Sequence, residues 1–359
     1  MKGLKLFLIA LLGVAQIPSS LCMAKKSKNL LLDVKDVEFV DKSNRTLVGK
    51  ELDLPVMGAD VIVIQDSLLM CVTNDQGGML KVFSLNSHRL LGGFCHKGRA
   101  SNEFIQLLPQ TTQTYVKNGD IIFPLVESST YEIREVNVSQ SLRKGSTVIN
   151  GVSQFRFPDT FVLLDNDINR KFINSYYVDT DIEERRDCPV SLYIQNKDDK
   201  EYLSVYGSRM KMDDRRDALA PYTGNLYKHP SRNIVLKPHM SMDYLFLFDV
   251  DRKQNIAIHQ KGALTYDDVL PQQPGVMTNF SCAAVGKDCF FVLYWSTNNN
   301  KNKTSKEMLP ELMAFDWDGN FLWSATLAQL VASIAYDEKN HIIYGLERSE
   351  ERIYAFPID

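Results

Sequence analysis

Two sets of residues in this chain have the types and spacing to do chemistry. The first is cationic. Asp179–Asp187 (DTDIEERRD) and Met212–Asp217 (MDDRRD) each place an acidic run ahead of paired arginines. The forks of Arg185, Arg186, Arg215 and Arg216 match the geometry of a carboxylate, sulfate or phosphate. The same arginines can instead pair with the acids beside them as a solvated face. Tyr222, Tyr227, Tyr294 and Trp295 fall in neighbouring stretches, where an aromatic face either stacks on a sugar ring or packs into strand core. The second set is Asn74, Asp75, Glu127, His239, Asp243 and Glu347. Each follows an apolar run. Converging, they would hold a divalent metal or activate water.

Other chemistry lacks a signal. The histidines at 88, 96, 229, 239, 259 and 341 include no pair spaced by three or four, so no helical metal pair exists. The chain holds no Cys-x-x-Cys, no Gly-x-Ser-x-Gly elbow, no phosphate-binding loop and no dinucleotide fingerprint. No cofactor is expected.

Residues 1–24 begin with Lys2 and Lys5, continue through the apolar Leu6–Val14 and reach a small residue at Ala24, the layout of a cleaved secretory signal. Gln16 and Pro18 break the run short of a membrane span. An alternative makes Cys22 a lipid-modified residue, although Leu21 stands where such processing takes a small residue. The 41 basic and 44 acidic residues become 39 against 44 without Lys2 and Lys5, a net charge near −5. That charge serves solubility and excludes a nucleic-acid footprint. Five cysteines remain (Cys71, Cys95, Cys188, Cys282, Cys289). An odd number leaves at least one thiol unpaired. Cys282 and Cys289 either face each other across Gly286–Asp288 or serve as small buried hydrophobes.

The elements that must position these residues are short apolar runs split by polar turns. Asp60–Gln65, Leu68–Thr73, Met79–Leu85 and Arg89–Phe94 form one four-strand unit, and the pattern recurs to the end of the chain. In the second unit a weak fourth strand is expected near Leu142. Asp316–Asn320 carries an Asp-Gly hairpin signal. The last unit stops one strand short at Phe356–Asp359, and Arg45–Leu54 has the look of the missing strand. The expected fold is therefore all-β, a six-bladed β-propeller over residues 25–359 whose last blade is closed by an N-terminal strand. Leu30–Val40 is left as a further strand or an outer brace. A two-layer sandwich is the alternative arrangement.

After the first unit comes Gly92–Phe104 (GGFCHKGRASNEF). This stretch resembles the glycine-rich segment ending in Glu-Phe that follows the first blade in TolB-like or NHL-like six-bladed propellers exported by Bacteroides-type bacteria. Gly98, Glu103 and Phe104 match, while Ala100 and Ser101 stand where that family carries Gly-Pro. The resemblance implies the fold and export to the periplasm or cell envelope, and says little about activity.

Link length points to a working face. Links between first and second strands are minimal, whereas Cys95–Thr112, Ser139–Thr160, Asp179–Pro189, Gly207–Asn225, Lys261–Phe280 and Ser296–Pro310 are long. Successive hairpins alternate rims, so the six long segments are expected on one face. The expected function is monomeric, non-catalytic recognition of a glycan, peptide or envelope protein there, through Arg99, Glu103, Arg185, Arg186, Arg215, Arg216 and Tyr222. The alternative is a metal-dependent hydrolase or lyase acting on a sugar lactone or polysaccharide at the channel mouth.

Overall fold

The computed structural model describes residues 30–31, 34–40, 45–75, 77–154, 160–175, 191–197, 199–204, 224–240, 243–263, 280–295 and 309–358. They form six sheets, each built on four consecutive antiparallel strands or, in the last, on three. The sheets are the blades of a six-bladed β-propeller.

Why a run such as Leu68–Val72 is apolar at every position follows from its two neighbours. Successive side chains of a strand point to opposite faces. Met70 and Val72 pack toward blade 2, against Phe123 and Leu125, while Leu69 and Cys71 pack toward blade 6, against Leu346 and Ile353. Blade 2 repeats the pattern, with Ile121 and Phe123 facing blade 1 and Ile122 and Val126 facing Phe161 and Ile173 of blade 3. The core is thus a circle of clusters between blades rather than one central cluster. Both faces of each blade are buried.

The N-terminal segment does more than close the ring. It contributes four short strands, β1 (Leu30–Leu31), β2 (Val34–Phe39), β3 (Thr46–Leu47) and β4 (Lys50–Leu52). Each lies on the outer edge of a different blade. β1, β2 and β3 pair in parallel with the outermost strands of blades 3, 4 and 5, and β4 pairs antiparallel with Arg352–Pro357 of blade 6. The segment is a belt around four consecutive blades. Phe39 is its anchor, stacked on Phe321 at 5.2 Å and edge-on to Phe315 at 5.1 Å, so β2 fastens blade 4 to blade 5. The expected closing strand Arg45–Leu54 is therefore divided between two blades, at Val48–Gly49. Gln329 holds the crossing by accepting from the Gly49 N–H at 2.9 Å and donating to its carbonyl at 3.3 Å.

The weak strand expected near Leu142 is instead helix α1 (Val138–Lys144), and the fourth strand of blade 2 is Ile149–Gln154. Asn137 caps the helix by accepting from the Gln140 N–H at 2.8 Å, and Gly145 ends it in the left-handed region at φ 66°. Arg143 and Gln140 both reach Asp120 at the start of the second strand. α1 therefore sits with the first-to-second links, on the rim opposite the other long segments.

Candidate functional site

Antiparallel alternation defines two rims. The upper rim carries the second-to-third links and the links between blades; the lower rim carries the first-to-second and third-to-fourth links. The described ends flanking residues 176–190, 205–223, 264–279 and 296–308 all belong to the upper rim, as does Cys95–Thr112. At its centre the inner strands surround a narrow cavity of about 60 Å³, lined by Val61, Thr111, Tyr227, Cys282, Ser333 and Arg348 among others. Arg348 spans from blade 6 to blade 1, donating from Nε and Nη2 to the Asp60 carbonyl at 3.1 and 2.8 Å. Burial pushes the Cys282 thiol up to about 11, which keeps it an unreactive thiol at neutral pH. Cys71, Cys95, Cys282 and Cys289 are all free.

Of the arginine and aromatic set, Arg185, Arg186, Arg215, Arg216 and Tyr222 lie outside the described residues. Arg99 is exposed on the upper rim. Glu103 has a structural task beside it. Its carboxylate accepts from the Ala100 N–H at 2.9 Å, and a Cβ at Gly98 would overlap that carboxylate. Phe104, fully buried, lies under the Arg134 guanidinium at 5.0 Å, and the same guanidinium donates to the Glu103 carbonyl. The Gly98, Glu103, Phe104 signature is thus a clasp that locks the link between blades 1 and 2.

The six polar residues of the second-to-third links are spread over blades 1, 2, 4 and 6, and all but Asn74 have a local contact. Asp75 caps its own turn at the Gly77 N–H and pairs with Lys81. Glu127, 1% exposed, accepts from the Ile105 N–H at 2.7 Å and from both N–H and hydroxyl of Ser129. Asp243 accepts from the Tyr294 hydroxyl at 2.9 Å, and burial raises its carboxyl above the ordinary range. His239 is fully buried, edge-on to Phe246. Asn74 is exposed, and Glu347 is half-buried beside Tyr354. Among the described residues no three His, Cys, Asp or Glu side chains come together.

Sequence reasoning missed one groove. It opens on the lower rim between blades 3 and 4, with a volume of about 480 Å³. Its walls are the turn at Asp165–Asn166, the strand residue Lys228, the turn Pro230–Asn233 and the turn at Asp249–Arg252. His229 shapes the middle wall. Its Nδ1 accepts from the Ser231 and Arg232 N–H groups at 3.0 and 3.1 Å, its Nε2 accepts from the Arg232 Nε at 2.9 Å, and its ring lies on Trp317 at 4.8 Å. Burial first, then the Arg232 charge, pushes the His229 imidazole down to about 4.

The chain is similar in fold to two solved bacterial proteins. One is a presumed exported protein of Bacteroides fragilis, at 13% identity over 90% of this chain and 99% of that one, with a TM-score of 0.50. The other is a member of the DUF4221 family from Bacteroides vulgatus, at 10% identity over 87% of this chain and 97% of that one, with a TM-score of 0.53. No protein-family profile matches the sequence. No curated relative matches it either. No helix among the described residues is long and apolar enough to cross a membrane.

Proposed function

We propose that this chain is an exported binding propeller of the TolB-like or NHL-like kind, recognising a glycan, a peptide or an envelope protein on its upper rim. Residues 1–24 direct export and residues 25–359 form the propeller. The observation that carries this reading is the convergence of the longest links on the one rim that surrounds the Arg348 channel mouth. Rigid blades holding long links cost little ordering entropy on binding, which is how such a scaffold reaches useful affinity. Arg99, Arg185, Arg186, Arg215, Arg216 and Tyr222 supply the contacts in this proposal, and Glu103 fixes the link that carries Arg99.

The test is a screen of glycan and peptide arrays, with envelope extract as a third arm, using the secreted protein and a variant carrying alanine at Arg185, Arg186, Arg215 and Arg216. The expected result is capture by the native chain and loss in the variant at an unchanged Tm. Undiminished capture by the variant refutes the residue assignment. A divalent ion at one equivalent per chain with turnover of a lactone or polysaccharide refutes the non-catalytic reading.

A further inference from the structure

We propose that the groove between blades 3 and 4 on the lower rim binds a small hydroxylated carboxylate, the chemistry of a sugar acid. This is independent of the upper-rim reading, since the two surfaces lie on opposite sides of the disc.

The first observation is a buried cation with unspent donors. Lys228 is 6% exposed and lines the groove. Among the described residues its ammonium makes one hydrogen bond, to the His229 carbonyl at 3.2 Å. An ammonium has three donors, and a buried charge with donors to spare is costly unless something completes it. Burial depresses its pKa, while Asp165 and Asp251 oppose that shift from a distance. A carboxylate entering the groove supplies the missing acceptor.

The second observation is the charge balance of the walls. Asp165 is paired with Arg170 and takes the Asn233 amide at 2.7 Å, and Asp249 is paired with Arg252 at 3.7 Å. Lys228, Arg232 and Asp251 remain as the charges with no opposite partner fixed on them among the described residues, a balance of one positive. That balance accommodates a monoanion. A phosphate dianion would meet the exposed Asp251 and Asp165 carboxylates at the same mouth, where like charges disfavour it.

The third is shape and polarity. A volume of about 480 Å³ falls in the range of small-ligand sites, roughly 300–1,000 Å³. Asn233, 6% exposed, fixes both acidic walls by donating to Asp165 and to both Asp251 oxygens at 3.2 Å. Held this way, Asp251 keeps lone pairs for ligand hydroxyls. Lys228 and the Nη groups of Arg232, whose Nε is held by His229 Nε2 at 2.9 Å, take the carboxylate, and Asp251 with Asn166 takes the hydroxyls.

Calorimetric titration of the intact protein with glucuronate, glucose and inorganic phosphate tests the proposal. Glucuronate is expected to bind saturably and glucose and phosphate to bind at least roughly tenfold more weakly. Lys228→Met, an apolar replacement of a buried charge that folds tolerate, is expected to abolish glucuronate binding, and Asp251→Asn to weaken it. Should Lys228→Met not fold, the exposed-site variants Arg232→Ala and Asp251→Asn carry the test. Arg348→Ala, on the other rim, is expected to bind glucuronate like the native chain. No saturable glucuronate binding overturns the proposal, as does equal binding of glucose or phosphate, or native affinity in every folded groove variant. Loss in Arg348→Ala alone would place the site on the upper rim and overturn it too.

Discussion

Replacing His229 should remove a defined part of the acid sensitivity of this fold. The imidazole is 3% exposed and its pKa is depressed from 6.5 to about 4. The unfolded chain therefore takes up a proton near pH 6.5 that the folded chain refuses until about pH 4. Stability rises with pH wherever the unfolded state binds more protons. The contribution is fully present above pH 6.5 and lost as pH drops toward 4. A shift of this size, about 2.5 pH units at 1.36 kcal/mol each, corresponds to roughly 3 kcal/mol in all. Between pH 7.5 and 4.5 it amounts to about 2.5 kcal/mol.

His229→Gln lacks the titration and keeps an acceptor for the Ser231 and Arg232 N–H groups. The measurement is urea unfolding followed by tryptophan fluorescence, since Trp317 lies against the ring, at pH 7.5 and 4.5 for both proteins. The native chain should lose about 2.5 kcal/mol more than the variant over that interval. Other groups cancel in the comparison. Asp120 and Asp165 are held below the usual carboxylate range by Arg143 and Asn233 respectively, so their stabilisation persists at pH 4.5 and fails only in stronger acid. Asp243, raised by burial, acts in the opposite direction and favours the folded state as pH falls. Equal losses in the two proteins would refute the assignment of a neutral, buried imidazole.

Three further outcomes test the architecture. Phe39→Ala should destabilise the protein by about 3–5 kcal/mol, read by chemical denaturation, because its ring bridges blades 4 and 5. Glu127→Gln should cost about 1–3 kcal/mol while leaving ligand capture unchanged, because its carboxylate is committed to Ile105 and Ser129; lost capture at unchanged stability would return it to the channel. Gly98→Ala should lower the Tm and expose the Arg99 link to proteolysis, since the Glu103 carboxylate must vacate its place; an unchanged cleavage pattern would contradict the clasp.

The blades were legible because both faces of each one are buried, which turns some second strands into unbroken apolar runs such as Leu68–Val72 and Cys289–Tyr294. Closure from the N-terminus was legible for a different reason: the last blade had three strands and an open edge. The belt was not. β1 and β3 are two residues long, and their register is set by backbone pairing with strands some 170 and 280 positions away, so side-chain alternation carries no trace of it. α1 did leave a trace, an Asn137 cap and a Gly145 stop around a run ending in Arg143 and Lys144. Strand grammar elsewhere in the chain had obscured it.

The two candidate surfaces differ in legibility for a physical reason. Long links advertise the upper rim because added length is visible along a sequence. The lower-rim groove is built from minimal turns, Asp165–Asn166 and Pro230–Asn233, and a turn just long enough to reverse a strand reads as mere connection. This groove is assembled from turns of two different blades, which no local pattern encodes. Its one sequence signature is Lys228, a charge inside the first strand of blade 4, where Tyr227 and the following strand Ile234–Pro238 are buried. A lysine at a position the blade must bury has to find acceptors, and here the fold provides one carbonyl and an opening. The misfit between residue and position is thus the sequence mark of the groove, and reading it requires knowing first which strand is innermost.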